Sequence, residues 1–272
     1  MRVKFLYGLL ASVAAGVGSA VAADMPVRPA VVAPVAAPVY VPDWVGFYVG
    51  VHGGGGWGHE SFEQSEFFNE NNNVKDFTTP RVFAPNASPK GGVFGFQFGH
   101  NWQWGPVVGG LEIDFSGADI KESTTFFSPE IVPVPSSPQT FFFNRDKKID
   151  ELASARGRLG YLIFPNLLLY GTAGIGWEHE RISTTVFDSP ITRFTASETS
   201  EFNQFGWVAG AGVEWKFYNN WLLRAEWLHY DFGRETVPHN DVLSRYPFFF
   251  DDGNVKTTVD VARAAISYKF SP

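Results

Sequence analysis

The chain has 272 residues, no cysteine, and 21 Lys and Arg against 28 Asp and Glu, which gives a net charge of −7. The acidic surplus disfavours nucleic acid as a partner, because binding to phosphates rests on basic side chains. The lack of cysteine excludes disulfides and thiolate metal sites. Aromatic residues make up 17% of the chain although its mean hydropathy is only −0.08, which is typical of a sheet with one apolar face.

The N-terminus predicts export. Arg2 and Lys4 precede an apolar stretch at 5–17, and small residues follow up to Ala23. This order is typical of a secretory signal peptide and is too short for a membrane anchor. Cleavage after Ala23 would leave 19 Lys and Arg against 28 Asp and Glu, a net charge of −9. The next segment, 24–43, contains five prolines among Ala and Val, which predicts an extended periplasmic linker.

From residue 44 onward, apolar and polar residues alternate with a period of two, which predicts β-strands. No later segment has roughly 18 apolar residues in a row, so we expect no transmembrane helix. Each predicted strand is longer than the ~9–11 residues that a tilted strand needs to cross a bilayer. The predicted strands cover residues 44–57, 91–103, 107–120, 149–163, 167–181, 203–217, 221–234 and 256–270.

The connections between these strands alternate in length. The tight ones lie at 104–106, 164–166 and 218–220, and the long, polar or Pro-rich ones at 61–90, 121–148, 182–202 and 235–255. Outer-membrane barrels have short periplasmic turns and long external loops in this order. Residues 44–272 are therefore predicted to form an all-β fold: an eight-stranded antiparallel up-and-down transmembrane β-barrel with both termini in the periplasm.

The alternation also assigns the two faces of each strand. Phe94, Phe96 and Phe98 share one face of the second predicted strand, opposite Gly95 and Gln97. A soluble barrel would point its bulky rings inward, whereas the narrow lumen of a barrel of about eight strands has room for small residues. We therefore predict that the rings face lipid, with a soluble, lipocalin-like barrel as the alternative.

Tryptophans fall near the predicted strand ends, which is typical of the two aromatic girdles of a membrane barrel. The predicted periplasmic girdle contains Trp44, Trp102, Trp104, Trp215 and Trp221, and the predicted outer girdle contains Trp57, Trp177 and Trp207.

The polar face carries charges of nearly balanced sign. Its acids are Glu112, Asp114, Glu178, Glu214 and Glu226, and its bases are Arg156, Arg158, Lys216, Arg224, Arg263 and Lys269. Buried charges persist when they are paired and hydrogen-bonded, so we predict a salt-bridge network that fills the lumen. Arg156 and Arg158 are its expected forked partners. The alternative is a selectivity ring in a narrow, porin-like channel for small solutes.

Five segments carry a resemblance to a known family. They are WVGFYVGVHGGGGWG (44–58), GGVFGFQFGHNWQWGPVVGGLEIDFSG (91–117), ASARGRLGYLIFPNLLLYGTAGIGW (153–177), GWVAGAGVEWKFYNNWLLRAEWLHYDFG (206–233) and RAAISYKF (263–270). They resemble the small outer-membrane barrels of alphaproteobacteria, a porin-like group that is similar to the OmpA-like transmembrane barrel and includes surface antigens. The resemblance implies residence in the outer membrane, contact with its lipid and lipopolysaccharide, and insertion by the barrel-assembly machinery. Family members commonly end on an aromatic residue, whereas here Ser271 and Pro272 follow Phe270.

The sequence offers little for catalysis. The histidines show no metal-ligand spacing on one element, and the predicted strand of His229 contains no serine. We therefore predict no enzyme activity, metal or cofactor, and a structural, surface-exposed protein that contributes to envelope integrity. Phenylalanine clusters lie at 126–127, 141–143 and 248–250. They either contact host cells or phage, as exposed apolar patches often do, or lengthen the strands beyond the membrane or pack against one another.

Overall fold

The computed structural model describes residues 43–69, 74–75, 88–128, 141–188, 195–236 and 251–270. The described strands are β1 (Gly46–Asn69), β2 (Val74–Lys75), β3 (Lys90–Trp104), β4 (Val107–Ser128), β5 (Phe141–Phe164), β6 (Leu167–Asp188), β7 (Thr195–Tyr218), β8 (Trp221–Thr236) and β9 (Asp251–Lys269). Within those ranges, no helix has the length and apolar character needed to cross a membrane.

The long strands form a closed ring. Each pairs antiparallel with its neighbour in the order β1-β3-β4-β5-β6-β7-β8-β9, and β9 pairs back with β1. The two-residue β2 pairs only with the far end of β1. At the seam, the Phe270 amide donates to the Phe47 carbonyl at 2.7 Å. The predicted eight-stranded, antiparallel, up-and-down barrel is confirmed.

Two-residue turns close one end of the ring, at Gly105–Pro106, Pro165–Asn166 and Asn219–Asn220. Gly105 and Asn219 adopt φ values of 59° and 43°. A positive φ at the first turn position matches the twist of a tight hairpin, and it suits glycine and asparagine. These turns confirm the three predicted tight connections and mark the periplasmic end of the barrel.

The strands run further than predicted at the opposite end. The β4–β5 ladder continues to Ser128 and Phe141, and the β6–β7 ladder to Phe187 and Thr195. The prediction that all of 121–148 and 182–202 is loop was therefore wrong. Beyond the membrane both faces of a hairpin can be wet, so the period-two pattern fades while the backbone ladder continues.

The backbone pairing of β4 and β5 shows one role of the phenylalanine clusters. Phe126 pairs with Phe143, and Phe127 with Phe142, in the backbone ladder of β4 and β5. These residues do lengthen strands, which was one of the two predicted roles. The cluster at 248–250 lies outside the described residues.

Burial confirms the predicted orientation of the strands. Phe94 and Phe205 are 68% and 72% exposed on the outer wall, whereas Glu112, Arg156 and Glu214 are at most 3% exposed. The segments whose outward positions are mainly apolar or small are 47–57, 92–104, 107–117, 153–163, 167–177, 205–217, 221–227 and 262–270. We treat these as the membrane-spanning segments, because they match the apolar band of a membrane barrel.

The exposed tryptophans lie at the two ends of this band, as predicted, with Trp102, Trp104, Trp215 and Trp221 towards the turns. Trp44 is the exception, since it is 0% exposed. Its Nε1 donates to the Pro165 carbonyl at 3.2 Å, and its backbone N donates to Gln103 Oε1 at 2.9 Å. Trp44 therefore lies inside the periplasmic mouth. It has the same parity as the inward-facing Tyr48, so the alternation itself indicated this position.

Apolar side chains fill the lumen on both sides of the charges, which the sequence analysis missed by assigning only glycine and polar residues to the inside. The outer apolar layer consists of Val93, Ile120, Ile149, Leu152, Val208, Leu228, Tyr230, Phe232, Val259 and Val261. The periplasmic apolar layer consists of Trp44, Val108, Leu162, Leu168, Tyr170 and Leu222. Both layers are buried, so the charged side chains between them are separated from both mouths.

Candidate functional site

Charged residues from five strands meet between the two apolar layers. We call them the ionic belt: Glu112 and Asp114 (β4), Arg156 and Arg158 (β5), Glu214 (β7), Arg224 and Glu226 (β8), and Arg263 (β9). The strand register supplies much of the arrangement, because Glu112 lies opposite Arg156, Glu214 opposite Arg224, and Glu226 opposite Arg263. Every member is at most 5% exposed.

One half of the ionic belt surrounds Arg156. Its Nη2 lies 2.6 Å from Glu112 Oε1 and 2.9 Å from Asp114 Oδ2, and its Nη1 lies 3.2 Å from Glu226 Oε1. Arg263 joins the last two carboxylates from the other side, at 2.9 Å from Asp114 Oδ1 and 2.7 Å from Glu226 Oε2. Each guanidinium therefore bridges acids of different strands.

The other half surrounds Arg224. Its Nη1 lies 2.6 Å from Glu112 Oε2, and its Nη2 lies 2.6 Å from Glu214 Oε2. Arg158 Nη1 reaches the same Glu214 oxygen at 3.2 Å. Because Glu112 contacts both halves, the belt is one continuous, charge-balanced network. Each charged group of the belt contacts at least one group of opposite charge, as buried charges require.

Two tyrosines that sequence reasoning missed complete the belt. The Tyr48 hydroxyl donates to Glu112 Oε2 at 2.5 Å, and the Tyr170 hydroxyl donates to Glu226 Oε1 at 2.7 Å. Inward-facing glycines make room for them, since a Cβ at Gly99 or Gly212 would lie only 2.3 or 2.5 Å from the respective hydroxyl oxygen. Both tyrosines have inward parity in their strands, so alternation could have found them.

A neutral polar group extends the belt towards β1 and β3. His52 lies with Nδ1 2.9 Å from Gln97 Oε1 and with Nε2 2.8 Å from Ser116 Oγ. Gln97 Nε2 in turn donates to Ser267 Oγ at 2.9 Å. These contacts leave each buried polar side chain of the group with a partner, as burial of polar side chains requires.

Three residues predicted for the lumen network lie elsewhere. Lys216 Nζ donates to the Asp43 carbonyl at 3.2 Å, and Lys269 Nζ donates to the Val45 carbonyl at 2.7 Å. Both therefore lie at the periplasmic mouth. Glu178 is 0% exposed but lies opposite Leu152 of the outer apolar layer, where its charge acts on Lys147. The parity of a strand residue fixes its face but not its depth, so the sequence pattern could not separate these three from the belt.

A second charged group, the outer cluster, lies beyond the membrane-spanning segments and comprises Glu60, Arg145, Lys147, Glu178 and Glu180. Lys147 Nζ lies 3.1 Å from Glu60 Oε2 and 2.9 Å from Glu180 Oε2. Arg145 Nη2 lies 3.1 Å from Glu60 Oε1. The sequence analysis missed Arg145 and Lys147 because it assigned 121–148 to a loop.

The outer cluster predicts acid sensitivity. Burial raises the pKa of the Glu60 carboxyl, but Lys147 and Arg145 outweigh it and hold this pKa below its ordinary value of 4.5. Burial also raises the pKa of Glu180, and there burial outweighs the lowering by Lys147 and Arg145. A depressed carboxyl pKa contributes stability that is present above the unfolded pKa and is lost as the pH falls through the folded pKa. Glu60 therefore stabilises the barrel at neutral pH, and this contribution declines as the pH falls from about 4.5 towards the lower folded pKa.

We expect Glu60→Gln to lower the free energy of unfolding at pH 7 by about 1–3 kcal/mol, because Arg145 and Lys147 lose a buried carboxylate. The variant should also lose less stability than the parent between pH 5 and pH 3. Urea unfolding of refolded protein at both pH values measures this. Glu180→Gln is the matched control and should cost less at pH 7, since its carboxylate is held less favourably. Equal losses at pH 7, or identical acid profiles, would contradict this assignment.

The remaining titratable side chains suggest little chemistry. His229 Nδ1 lies 3.0 Å from Asp260 Oδ1 on the outer wall, next to Trp207 and Trp227. Across the described part of the chain, no three His, Cys, Asp or Glu side chains are arranged to hold a metal ion.

Comparison with known proteins identifies the family. Residues 27–270 match the outer membrane protein beta-barrel domain. The chain belongs to this family. A 31 kDa outer-membrane immunogenic protein of Brucella melitensis is 30% identical over 66% of this chain and 67% of its own length. A 22 kDa outer membrane protein of Rhizobium leguminosarum bv. viciae is 33% identical over 60% of this chain and 62% of its own length.

Among solved structures, OprG of Pseudomonas aeruginosa is 13% identical with a TM-score of 0.41, covering 84% of this chain and 97% of that one. The family and its named relatives place this outer-membrane β-barrel domain in the outer membrane, as the sequence resemblance implied. Its lipid-facing wall is therefore the exposed aromatic band, and the ionic belt lies inside at the depth of the bilayer.

Proposed function

We propose that this barrel is a structural, surface-exposed protein of the outer membrane whose lumen is sealed. The observation that carries the proposal is the ionic belt, in which four guanidiniums and four carboxylates from five strands are each at most 5% exposed. An aqueous pore keeps its charged side chains in contact with water. A filled lumen instead agrees with the narrow interior of a barrel with eight strands.

The layers on either side support the same proposal. Trp44 and Leu168, both 0% exposed, belong to the periplasmic layer, and Ile120 and Leu228, also 0% exposed, belong to the outer layer. A solute that crossed the lumen would have to displace two apolar layers and one ion-pair network. We infer that the belt ties distant strands together and stabilises the barrel wall instead of guiding ions.

Conductance tests the sealed lumen. Purified, refolded protein inserted in planar bilayers is expected to give no channel steps at about 100 mV, because no continuous water path crosses the three layers. Insertion is checked independently by protease protection of reconstituted vesicles. Reproducible conductance steps from inserted protein would support the alternative, a narrow porin-like channel for small solutes.

We propose further that residues 1–23 are a cleaved signal peptide and that 24–43 form a periplasmic linker ahead of the barrel. N-terminal sequencing of protein recovered from outer membranes should begin at Asp24.

The barrel-assembly machinery is the proposed insertion partner. Because the Brucella relative is named as immunogenic, we infer that the segments beyond the outer girdle face the cell exterior, where they are available to host or phage contacts. Antibody binding to intact cells tests that exposure.

We propose no catalytic role. The belt carboxylates are held in ion pairs between two apolar layers, where a substrate could not reach them. The His229–Asp260 pair is on the outer wall, and the described strand that carries His229 contains no serine. An acyl-transfer assay on purified protein, with lipid as donor, tests this, and turnover that His229→Ala abolishes would contradict it.

A further inference from the structure

One strand of the barrel stops earlier than both of its neighbours. β3 lies between β1 and β4, and its pairing with them begins at Lys90, just beyond its membrane-spanning segment. The last backbone contact on this side of β1 runs from the Gly58 amide to the Pro89 carbonyl, at 2.7 Å. β1 nevertheless continues to Asn69, and β4 continues to Ser128. We call the gap between residues 59–64 of β1 and 122–128 of β4 the strand slot.

The strand slot has the width of one strand. Neighbouring strands are about 4.8 Å apart, so β1 and β4 lie about 10 Å apart where β3 separates them. Both walls are regular, because β1 follows β9 without a shift up to Gln64, and β4 follows β5 without a shift from Ile120 to Ser128. Inside the barrel, Glu60 of β1 contacts Lys147 of β5 at 3.1 Å, which links the two walls. The slot therefore has room for one extended segment of about six residues.

The walls of the slot lack the features that protect sheet edges from pairing, which are lysines, prolines and bulges. Residues 59–64 read HESFEQ and residues 122–128 read ESTTFFS, with regular register in both. Among the described strands, none pairs with either range on the side of the slot. The sequence before β3 is poorly suited to extend that strand, because prolines cannot donate to a ladder and it contains Pro80, Pro85 and Pro89.

One carboxylate on the wall indicates the charge of the occupant. Glu122 Oε2 is buried and has no hydrogen-bond partner in the described part of the chain. Lys147 lies opposite Glu122 in the ladder but contacts Glu60 and Glu180 instead. A buried carboxylate oxygen without a partner is unfavourable, and a Lys or Arg is its strongest partner.

We propose that the strand slot binds an extended segment of a protein outside the cell, which pairs with β1 and β4 at once and places a basic side chain beside Glu122. Because both edges of the bound segment are used, it must come from an unstructured stretch and not from a folded sheet. The proposal rests on the proposed exposure of the outer segments to the cell exterior, and it adds the kind of partner that they bind.

Fluorescence anisotropy with a labelled peptide, TVTKTVT, and purified, refolded protein in detergent tests the two-sided pairing. Wild type should bind this peptide saturably. N-methylation of the peptide at its threonines, or separately at its valines and lysine, removes the donors of one edge or the other. Each methylated peptide should bind at least about tenfold more weakly, since each has lost three or four ladder donors. Full-strength binding of either methylated peptide, or no saturable binding of the parent peptide, would overturn the slot.

Glu122→Gln tests the basic side chain and should weaken binding of TVTKTVT about fivefold, because a charge-assisted contact is lost. Glu201→Gln is the matched control, since its side chain is 55% exposed and pairs with Arg181 on another part of the rim; it should bind like wild type. Equal binding by the two folded variants would overturn the role of Glu122.

A linker variant tests whether the chain fills its own slot. Replacing residues 76–87 with a glycine-serine linker should leave peptide binding unchanged, and binding that appears only in this variant would overturn the proposal. The methylated peptides need wild-type protein alone, so they decide the question even if a variant fails to fold. All these assays use purified protein, so their outcome is separate from antibody binding to intact cells, which tests exposure.

Discussion

Arg156→Ala is expected to lower the free energy of unfolding by about 3–5 kcal/mol, because it leaves buried carboxylates with an uncompensated charge. Arg156 contacts Glu112, Asp114 and Glu226 within 3.2 Å, so the change affects three acids at once. Urea unfolding of protein refolded into lipid vesicles, followed by tryptophan fluorescence, measures the loss.

Arg181→Ala is the control for this variant. Its side chain is 45% exposed and its Glu201 partner is 55% exposed, so their ion pair is worth less than about 1 kcal/mol. A loss for Arg156→Ala no greater than that for Arg181→Ala would show that the belt does not stabilise the barrel. Glu226→Gln combined with Arg156→Ala should cost less than the two single losses added together, since the two residues share one interaction.

Leu228→Ala is expected to cost about 2–5 kcal/mol, because it removes a fully buried side chain from the outer apolar layer and leaves a cavity. Leu223 on the same strand is 44% exposed on the outer wall. There, fluid lipid chains can fill the gap, so Leu223→Ala should cost much less. The same vesicle unfolding assay compares the pair. A larger loss for Leu223→Ala would mean that the packed, rigid side of β8 is the outer wall.

Hydropathy alternation was enough to predict which face of each strand meets lipid, and the alternating connection lengths predicted the up-and-down ring. Leu111 and Glu112 occupy adjacent positions in β4, as Ala155 and Arg156 do in β5, and a strand with a period of two must place adjacent side chains on opposite faces. Cross-strand ion pairs such as Glu214–Arg224 then follow from register, which the tight turn between β7 and β8 sets. The short gaps between predicted strands identified the tight turns.

The alternation pattern could not predict how deep in the barrel an inward-facing residue lies, or where a strand ends. Glu178, Lys216 and Arg224 all have inward parity, yet only Arg224 belongs to the belt, because position along the axis depends on strand tilt and stagger. Inward aliphatic residues such as Leu228 were overlooked because polar neighbours dominated their face. Lys147 was missed because the ladder continues past the membrane, where side chains no longer alternate in hydropathy.

Two neighbouring positions on β5 test most directly whether the aromatic side chains face lipid while the charged side chains face a dry lumen. Because the chain has no cysteine, Ser154→Cys and Ala155→Cys each introduce a single thiol. Ser154 is 5% exposed and donates to Asp114, whereas Ala155 is exposed on the outer wall. In vesicles, a charged maleimide should modify neither thiol until the protein is unfolded, because the thiolate does not form in lipid or in the packed lumen. A nitroxide attached to A155C before refolding should be relaxed by membrane-soluble oxygen and not by a water-soluble nickel chelate. Labelling of folded S154C by the charged maleimide would reveal a water path through the lumen, and relaxation of the A155C nitroxide by the chelate and not by oxygen would invert the wall.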